Sequence, residues 1–261
     1  MLDQITPVIL TYNEAPNIGR NLERLAWARD VVVVDSGSED DTAAIVGRFP
    51  NARLVVRPFD SHAQQWTFGV QQTAITTPWV LRLDADYIVP EDTIAEITRL
   101  APGPDIGGYR VIFDYCIDGH RLRGSLYPSL PILFRRDCVQ FVQDGHTERA
   151  QVSRTVGVLA GHVDHDDRKR LDRWLVSQFR YQSREVDKLT STPWAQLSWG
   201  DRIRLTRILG PPLVLLYCLF GRGLVLDGWP GWYYAFQRMT ADLILSMLLI
   251  QRDLAGRSTK P

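Results

Sequence analysis

Cysteine is scarce in this sequence, with three among 261 residues: Cys116, Cys138 and Cys218. They are scattered and odd in number, and no two of them have the spacing of a pair of metal ligands. The sequence therefore excludes a disulfide framework and a cysteine-based metal site. Such sparse cysteine also favours a reducing compartment.

Four other features are missing. The N-terminal residues Met1–Gln4 lack the basic start and long apolar centre of a signal peptide, so we expect none. The sequence has no internal repeat and no low-complexity segment. The first strand-like run is followed by Thr11-Tyr12-Asn13-Glu14 and not by a glycine-rich phosphate loop, which argues against a nucleotidyltransferase.

The composition is that of a folded protein with unevenly distributed charge. With 45% hydrophobic and 23% charged residues, the chain can bury a sizeable core. Its length fits one large domain or one domain with an appendage. The net charge is zero, but residues 1–150 carry −6 and residues 151–261 carry +6. This asymmetry indicates two roles, a metal site and a surface for an anionic partner.

Short apolar runs alternate with helical patterns four times in the first hundred residues. The runs predicted to be strands are Pro7–Thr11, Val31–Val34, Arg53–Val56 and Val80–Leu83. This alternation predicts a parallel sheet covered by helices on both faces. Two later runs, Tyr109–Phe113 and Pro131–Phe134, have no obvious helix between them and predict an antiparallel or mixed extension of the sheet.

Smaller features add local expectations. Ser38, with Asp41 three residues later, predicts a capping box for the helix through Ile45. The segment Gly145–Glu148 is predicted to be a loop, and Val156–Leu159 is predicted to be a short strand.

Four carboxylates follow predicted strands: Glu14, Asp35, Asp84 and Asp86. Ligands of parallel sheets bind at the carboxyl ends of the strands. An extended backbone points Asp84 and Asp86 the same way, and two hard oxygen ligands suit a divalent cation that also holds phosphate oxygens. A solvated acidic turn is the alternative for an isolated Asp-x-Asp, but the shared placement of the four carboxylates favours a metal and nucleotide site.

The last sixty residues contain two apolar segments. Ile208–Phe220 is short for crossing a bilayer, and Trp232–Ile250 is nearly long enough but carries a stripe of Arg238, Asp242 and Ser246. Basic and aromatic residues nearby are Arg202, Arg204, Arg207, Trp229, Trp232, Tyr233 and Tyr234. We predict amphipathic helices on an anionic membrane surface. The alternatives are a helical hairpin that covers the sheet or forms a dimer contact, and a spanning helix.

Three motifs, in order and at the right spacing, resemble family-2 glycosyltransferases of the GT-A fold. They are Val8–Glu14, Val33–Thr42 and Leu83–Asp86. The remainder resembles one branch of that family, the small bacterial enzymes that add glucose to the lipopolysaccharide inner core. The features that match are Tyr127-Pro128, Leu133–Arg136, the His-x-Glu that ends at Glu148, a histidine before a basic helix, and the apolar C-terminal helices.

The resemblance implies a nucleotide-sugar donor, a divalent metal (Mg²⁺ or Mn²⁺) and inversion at the anomeric carbon. It places Thr11, Asn13 and Glu14 in the nucleoside pocket and Asp35 on the uracil or ribose. It makes Asp84 and Asp86 the metal and ribose-diphosphate carboxylates. The chain departs from the branch in two places: Gln64 and Gln65 stand where a basic residue is usual, and Thr147 separates His146 from Glu148.

An inverting transfer needs a base for the acceptor hydroxyl and positive charge on the leaving diphosphate. Glu148 is our candidate base and Asp144 the second; an ion pair with Arg149 or another surface arginine is the alternative for Glu148. His146 would orient the base or touch the acceptor, or else make a structural hydrogen bond. His165 would complete the metal site or be structural. Arg135, with Arg136, would neutralise donor phosphate or an anionic acceptor, or be surface charge.

We therefore expect an α/β protein with a GT-A (Rossmann-like), mostly parallel sheet covered by helices and a C-terminal amphipathic helical region. The expected divisions are a catalytic domain at 1–167, with a nucleotide-sugar part at about 1–100 and an acceptor part at about 101–167, and a helical region at 168–261. The expected activity is metal-dependent inverting transfer of a hexose from a UDP-sugar to a lipid-linked glycan such as lipopolysaccharide core. Glucose is the first candidate for the hexose.

The enzyme is expected to be cytoplasmic and peripheral on the inner face of the bacterial plasma membrane, with no nucleic-acid partner. Two alternatives stay open. One is transfer to a polyprenyl phosphate carrier, and the other is an inactive nucleotide-sugar-binding scaffold at the membrane.

Overall fold

The computed structural model describes residues 1–144 and 147–258. The chain divides into two compact units. The first contains residues 1–121 and 127–169, and the second contains residues 122–126 together with the chain from Arg170 onward.

The first unit contains the strands and four helices. The strands are β1 (Ile5–Thr11), β2 (Val31–Asp35), β3 (Ala52–Val56), β4 (Trp79–Asp84), β5 (Tyr87–Ile88), β6 (Ile106–Ile117), β7 (His120–Arg121), β8 (Leu130–Arg135), β9 (Val139–Asp144), β10 (Thr147–Val152) and β11 (Thr155–His165). The helices are α1 (Ile18–Glu23), α2 (Thr42–Val46), α3 (His62–Gln71) and α4 (Glu91–Arg99), with short 3-10 turns at Leu2–Gln4 and Arg136–Cys138.

The predicted parallel sheet and its mixed extension are confirmed. The strand order is β3-β2-β1-β4-β8-β6-β11-β5, and the first four strands are parallel to one another. β8 runs antiparallel to both β4 and β6, and β11 returns parallel to β6. β9 and β10 form a separate hairpin.

Apolar side chains cover both faces of the parallel strands. Because successive residues of a strand point to opposite faces, Ile9 and Leu81 lie in one core cluster, and Val8 and Val80 lie in the other with Trp66 of α3. Strands buried on both faces have nearly continuous apolar sequences, as these do. The polar residues at their carboxyl ends therefore mark where the core stops.

The far edge of the sheet meets the end of β4 through a short connection. The chain leaves β4 at Asp84 and enters β5 at Tyr87, and β5 pairs antiparallel with the last residues of β11, Tyr87 opposite His165. The backbone N–H of Asp166 also donates to the Asp86 carbonyl, at 3.0 Å. This pairing brings the end of β11 to the Asp-x-Asp turn.

Three local expectations were wrong. The helix Thr42–Val46 has no side-chain cap, because the Ser38 hydroxyl donates to Asp35 instead. Glu148 lies in strand β10 and not in a loop, since β10 begins at Thr147, where the chain pairs with Asp144 of β9. The strand expected at Val156–Leu159 is eleven residues long and continues to His165.

The second unit is helical. It contains α5 (Leu171–Ser191), α6 (Trp199–Arg204), α7 (Gly210–Leu216) and α8 (Gly228–Ser258), with a π turn at Tyr217–Gly221 and 3-10 turns at Trp194–Gln196 and Leu224–Asp227. The predicted polar stripe of α8 faces inward: Asp242 and Ser246 are buried, and Arg204 Nε lies 3.3 Å from Asp242 Oδ1. Tyr234 is also buried, so it is unavailable to a membrane interface.

No helix in the described part of the chain is by itself long and apolar enough to cross a bilayer. The helical stretches Gly210–Gly221 and Leu224–Ala255, which meet at a bend of 72°, satisfy the length and composition criterion only as a pair.

Candidate active site

The carboxyl ends of β1, β2 and β4 lie side by side. Thr11 pairs with Asp35 across β1 and β2, and Leu10 pairs with Asp84 across β1 and β4. The predicted convergence of these strand ends is thus present in the fold. What each side chain does there depends on its partners.

The Asp35 carboxylate is fully engaged by its neighbours. Oδ1 accepts from the Thr11 hydroxyl at 2.9 Å and from the Ser38 hydroxyl at 2.5 Å; Oδ2 accepts from the N–H groups of Gly37 at 3.1 Å and Ser38 at 2.8 Å. Gly37 has φ +88°, a conformation that favours glycine. A carboxylate has about four acceptor positions, and all are used. Contact of Asp35 with a donor stays a prediction, and it would have to replace one of these bonds.

The loop after β1 is clamped to the loop after β2. Asn13 has φ +56°; its backbone N–H donates to Ser38 Oγ at 2.8 Å and its Oδ1 accepts from Glu39 N–H at 2.8 Å. The N–H of Glu14 donates to Thr42 Oγ1 at 2.8 Å. The predicted pocket residues Asn13 and Glu14 are therefore held rigidly beside the strand ends.

Glu14 is bound to a largely buried lysine that no sequence pattern indicated. Its Oε1 lies 2.7 Å from Lys169 Nζ, and its Oε2 accepts from Asn17 Nδ2 at 2.8 Å. Burial favours the neutral amine, but the carboxylates of Glu14, Asp86 and Asp167 raise the pKa of Lys169 above its ordinary value. Lys169 stands in the basic run Arg168–Arg170, which is typical of a solvated helix start, so its burial left no sequence signal.

Asp86 and His165 form the centre of the site. Asp86 Oδ2 lies 3.2 Å from His165 Nε2, and both residues are largely buried. Burial opposes their charges, but the attraction and hydrogen bond between them lower the pKa of Asp86, with help from Lys169, and raise the pKa of His165. Asp86 and His165 therefore form a hydrogen-bonded ion pair, and their role as metal ligands stays a prediction.

The pair fits two ligands of one divalent cation. Bonds of about 2.1 Å at right angles put neighbouring ligand atoms about 3 Å apart, close to the Asp86–His165 separation. His165 Nδ1 is buried, and within the described part of the chain it has no hydrogen-bond partner. Mg²⁺ commonly takes one or two carboxylates and completes its shell with substrate phosphates and water. Asp84, half-buried at the end of β4, is the further carboxylate beside the pair.

Three tyrosines hold the His165 ring. Tyr115 and Tyr127 lie with their ring centroids 4.6 Å from it, and Tyr87 lies at 5.4 Å, all edge-on. The Tyr87 and Tyr127 hydroxyls are hydrogen-bonded to each other. A ring fixed on three sides keeps its nitrogen aimed at Asp86.

A second cluster of potential ligands already contains a cation. Among residues 1–144 and 147–258, the group of three with ligand atoms all within 4.8 Å of one another is Asp114, His162 and Asp164. Arg121 Nε lies 3.3 Å from Asp114 Oδ2, and Arg121 Nη2 lies 3.1 Å from Asp164 Oδ1. The guanidinium bridges both carboxylates, so a metal there would have to displace it.

The candidate base Glu148 forms a buried ion pair. Its partner is Arg82 of β4; the two side chains are 6% and 9% exposed, respectively. The Arg82 guanidinium also lies 4.7 Å from the centroid of the Trp66 ring. Because Arg82 and Asp84 are two residues apart on one strand, they share a face of the sheet, which brings Glu148 to the Asp84 side. An arginine pair was the expected alternative for Glu148, but the partner is the buried Arg82 and not Arg149 or another surface arginine. A catalytic role for Glu148 stays a prediction.

Three further residues were predicted around the base and the phosphates: Asp144, His146 and Arg135. Asp144 Oδ2 is 2.6 Å from Arg149 Nη2. His146 lies outside the described residues. Arg135 pairs with Trp79, at the opposite end of β4 from Asp84 and about 16 Å away along the strand. It donates to the Ile106 carbonyl at 3.0 Å, so the structure does not bring it to the other site residues.

Comparisons with known proteins give the following matches. The model of the family "Glycosyl transferase family 2" matches residues 6–148. The chain is 25% identical over 263 residues to the lipopolysaccharide core biosynthesis glycosyltransferase LpsC of Rhizobium meliloti (strain 1021), covering 95% of this chain and 92% of that protein. It is 33% identical over 97 residues to an uncharacterized glycosyltransferase of Rickettsia felis, covering 37% of this chain and 33% of the relative. A crystal structure of S. aureus TarS 1–349 in complex with UDP-GlcNAc has a TM-score of 0.45 and 14% identity, covering 96% of this chain and 92% of that one.

Proposed function

Since the chain belongs to glycosyl transferase family 2, we propose that it transfers a hexose from a UDP-sugar to a lipid-linked glycan of the lipopolysaccharide core type. Glucose is the first candidate for the hexose. The reaction is metal-dependent and inverts the anomeric carbon. The observation that carries this proposal is the Asp86–His165 pair at the carboxyl end of the sheet, next to Asp84 and the Glu14 loop. The acceptor class is inferred from the Rhizobium meliloti lipopolysaccharide core biosynthesis glycosyltransferase, with which the chain aligns over 95% of its length.

The donor half of the site is formed by the clamped loops after β1 and β2. We assign Thr11, Asn13 and Glu14 to the nucleoside. Hydrogen bonds that need no ligand hold the backbone of Asn13 and Glu14 at the strand ends. The Asp35 oxygens already accept hydrogen bonds from Thr11 and from the turn that contains Ser38. Asp35 therefore contributes to the site by stabilising that turn. A preformed pocket of this kind loses little conformational freedom when the donor binds.

Asp86, His165 and Asp84 would hold the metal, and the diphosphate would be bound through that metal. A divalent ion bound there would supply positive charge to the leaving diphosphate. His165 binds such an ion as the neutral imidazole, and the three tyrosines around it keep the ring oriented. Lys169 neutralises Glu14 and stabilises the carboxylate-rich site before the donor arrives.

Glu148 is the proposed general base, with Asp144 second. Arg82 pairs with the Glu148 carboxylate and holds it on the face of the sheet that carries Asp84. A carboxylate oxygen accepts more than one hydrogen bond, so Glu148 can receive the acceptor hydroxyl while it stays paired with Arg82. The proton then passes to Glu148 as the hydroxyl attacks the anomeric carbon opposite the leaving group.

The helical unit is proposed to lie on the inner face of the bacterial plasma membrane, and the catalytic domain to end near residue 167. The chain changes from the first compact unit to the second between Lys169 and Arg170, which supports that boundary. The Arg202 guanidinium lies 5.3 Å from the ring centroid of Trp194 and 5.7 Å from that of Trp199, and these rings are 60% and 77% exposed. A basic group among exposed indoles suits an anionic lipid interface.

The proposal is tested with purified full-length protein and a panel of UDP-hexoses. Each donor is combined with Mn²⁺, Mg²⁺ or excess EDTA, and with either a core-type lipid-linked glycan or polyprenyl phosphate. We expect turnover with UDP-glucose, its loss in EDTA, and transfer to the glycan. Equal turnover in EDTA would refute the metal requirement. Transfer to polyprenyl phosphate alone would mean that this carrier is the acceptor. Donor binding without any turnover would mean that the protein is an inactive scaffold.

A further inference from the structure

The long helix α8 has a row of exposed hydrophobic side chains. Every large hydrophobic residue of α8 that is exposed belongs to this row, here called the α8 stripe: Trp229, Tyr233, Phe236, Leu243, Met247, Ile250 and Leu254. Their exposed fractions run from 39% at Tyr233 to 82% at Trp229. Thr240, half-buried, occupies the gap in the row.

The spacing of the α8 stripe is that of a two-helix seam. Its positions alternate steps of four and three residues over about three and a half heptads, the repeat that keeps one narrow row of side chains facing a partner helix. The opposite side of α8 carries Ala241, Leu245 and Leu249, which are buried inside the helical unit. The stripe is therefore a second apolar face, additional to the one that stabilises the unit itself.

The charges around the stripe favour a protein partner over lipid. From Gly228 to Ile250 the sequence has two charged residues, Arg238 and Asp242. Asp242 is buried, and the Arg238 guanidinium lies over the buried Tyr234 ring at 5.7 Å. A helix that lies on an anionic bilayer has basic residues beside its apolar face. This stripe has none over that length, unlike the Trp194 and Trp199 cluster with its arginine.

We propose that the α8 stripe packs against the α8 stripe of a second copy of this chain, antiparallel and about a two-fold axis. The row is symmetric about its centre between Ala241 and Asp242, so the antiparallel pairing leaves no position unmatched. The pairs are Trp229 with Leu254, Tyr233 with Ile250, Phe236 with Met247 and Thr240 with Leu243. Such a contact is isologous, using the same patch on both subunits.

Side-chain size selects the antiparallel direction. The aromatic residues occupy the first half of the stripe and the aliphatic ones the second half. An antiparallel pair puts each aromatic ring against a smaller aliphatic side chain, which interdigitates well. A parallel pair would put indole against indole and phenol against phenol. The seam would be about 38 Å long, from the helical rise of 1.5 Å per residue.

The first experiment measures the mass of the full-length protein by sedimentation velocity without lipid. The wild-type chain is expected at twice the monomer mass at micromolar concentration. Met247→Glu should weaken the dimer at least about tenfold, because it buries a carboxylate without a partner. Leu226→Glu is the matched control: Leu226 is 69% exposed, close to the 67% of Met247, but lies off the stripe, and its variant should dimerise normally.

The second experiment determines direction with a short bis-maleimide crosslinker. The double variant Tyr233→Cys/Ile250→Cys should give a covalent dimer, and each single variant should not, because its own two copies would lie about 25 Å apart along the seam. The native cysteines are buried, and the wild-type chain controls for them.

Each outcome decides the proposal. A wild-type chain that stays monomeric overturns it, and a wild-type monomer whose Met247→Glu variant loses binding to anionic vesicles assigns the stripe to lipid. Dissociation by Leu226→Glu but not by Met247→Glu puts the interface elsewhere. Crosslinking of Tyr233→Cys alone replaces the antiparallel seam with a parallel one. The dimer requires no donor, metal or acceptor, so it stands or falls independently of the proposed activity.

Discussion

Asp86 Oδ2 and His165 Nε2 lie 3.2 Å apart although 79 residues separate them in the chain. The contact exists because β5 leaves the Asp-x-Asp turn and pairs with the last residues of β11. Asp86 also keeps its pKa below the ordinary value in this pair, so it is ionised and available as a metal ligand at any physiological pH.

Removal of either member of this pair should strongly weaken metal binding. Asp86→Asn and His165→Gln are each expected to weaken Mn²⁺ binding, measured by calorimetry, about a hundredfold and to lower turnover at least as much. Asp114→Asn, in the cluster occupied by Arg121, is the control and should bind Mn²⁺ as the wild type does. A strong loss in Asp114→Asn with normal binding in Asp86→Asn would put the metal in the other cluster.

The pair should also make metal-free stability depend on pH. The pKa of His165 is raised above its ordinary 6.5, so its contribution to folding is complete below pH 6.5 and disappears as pH rises through the raised value. The pKa of Asp86 is lowered below its ordinary 3.8, so its contribution is complete above that pH and disappears only in stronger acid. The wild type should therefore exceed His165→Gln in unfolding free energy, measured by urea unfolding, by the largest amount between pH 3.8 and 6.5.

Metal binding should follow pH in the opposite direction. Only the neutral imidazole ligates a metal, so Mn²⁺ affinity should rise as His165 loses its proton. A stability advantage that is constant from pH 5 to pH 9, or Mn²⁺ affinity with no pH dependence, would show that His165 does not titrate in the folded protein.

The base assignment predicts a specific split between binding and turnover. Glu148→Gln keeps the size of the side chain but cannot take a proton, so kcat should fall at least about a hundredfold while UDP binding is unchanged. Asp144→Asn should retain most of its turnover. Near-normal turnover of Glu148→Gln together with normal UDP binding would remove Glu148 from the mechanism and leave Asp144 to be tested.

Arg82 should be a strong determinant of stability. Arg82→Met leaves the Glu148 carboxylate buried without its cation and is expected to cost about 3–5 kcal/mol of unfolding free energy. Arg82→Met/Glu148→Gln removes both charges and should recover a large part of that loss in a double-mutant cycle of urea unfolding. Equal losses in the single and double variants would mean that Arg82 acts through Trp66 and not through Glu148.

Membrane attachment should depend on the exposed indoles of the helical unit. Trp199→Glu replaces a 77% exposed ring with a carboxylate and should reduce sedimentation with anionic liposomes severalfold. Tyr12→Glu, at a 45% exposed position of the first unit, should sediment as the wild type does. Unchanged sedimentation of Trp199→Glu, or of a chain without residues 200–261, would refute the membrane proposal.

Much of the first hundred residues could be predicted because the signal there is local. Runs of valine, isoleucine and leucine with a carboxylate at the end, such as the one that ends at Asp84, define both a buried strand and its exit from the core. The parallel pairing follows from the alternation with helices. These inferences need only the identities of neighbouring residues and the different spacing of side chains along helices and along strands.

The partners of the site residues could not be predicted in the same way. Whether His165 reaches Asp86 depends on a sheet order in which β8, β6 and β11 separate β4 from β5, and nothing local encodes that order. Arg82 interrupts an apolar run without indicating that Glu148 neutralises it from another element. Lys169 is one of three consecutive basic residues, and its burial depends entirely on where Glu14 and Asp167 lie.

The pairing of β5 with β11 also has a kinetic meaning. Because it joins segments 79 residues apart, closing this edge is entropically expensive and belongs to the late stages of folding. The two proposed metal ligands come together only when that edge has closed. A divalent ion would then bind only to chains in which the sheet is complete. Incompletely folded molecules would be unable to activate the donor, so they would not lose it to hydrolysis.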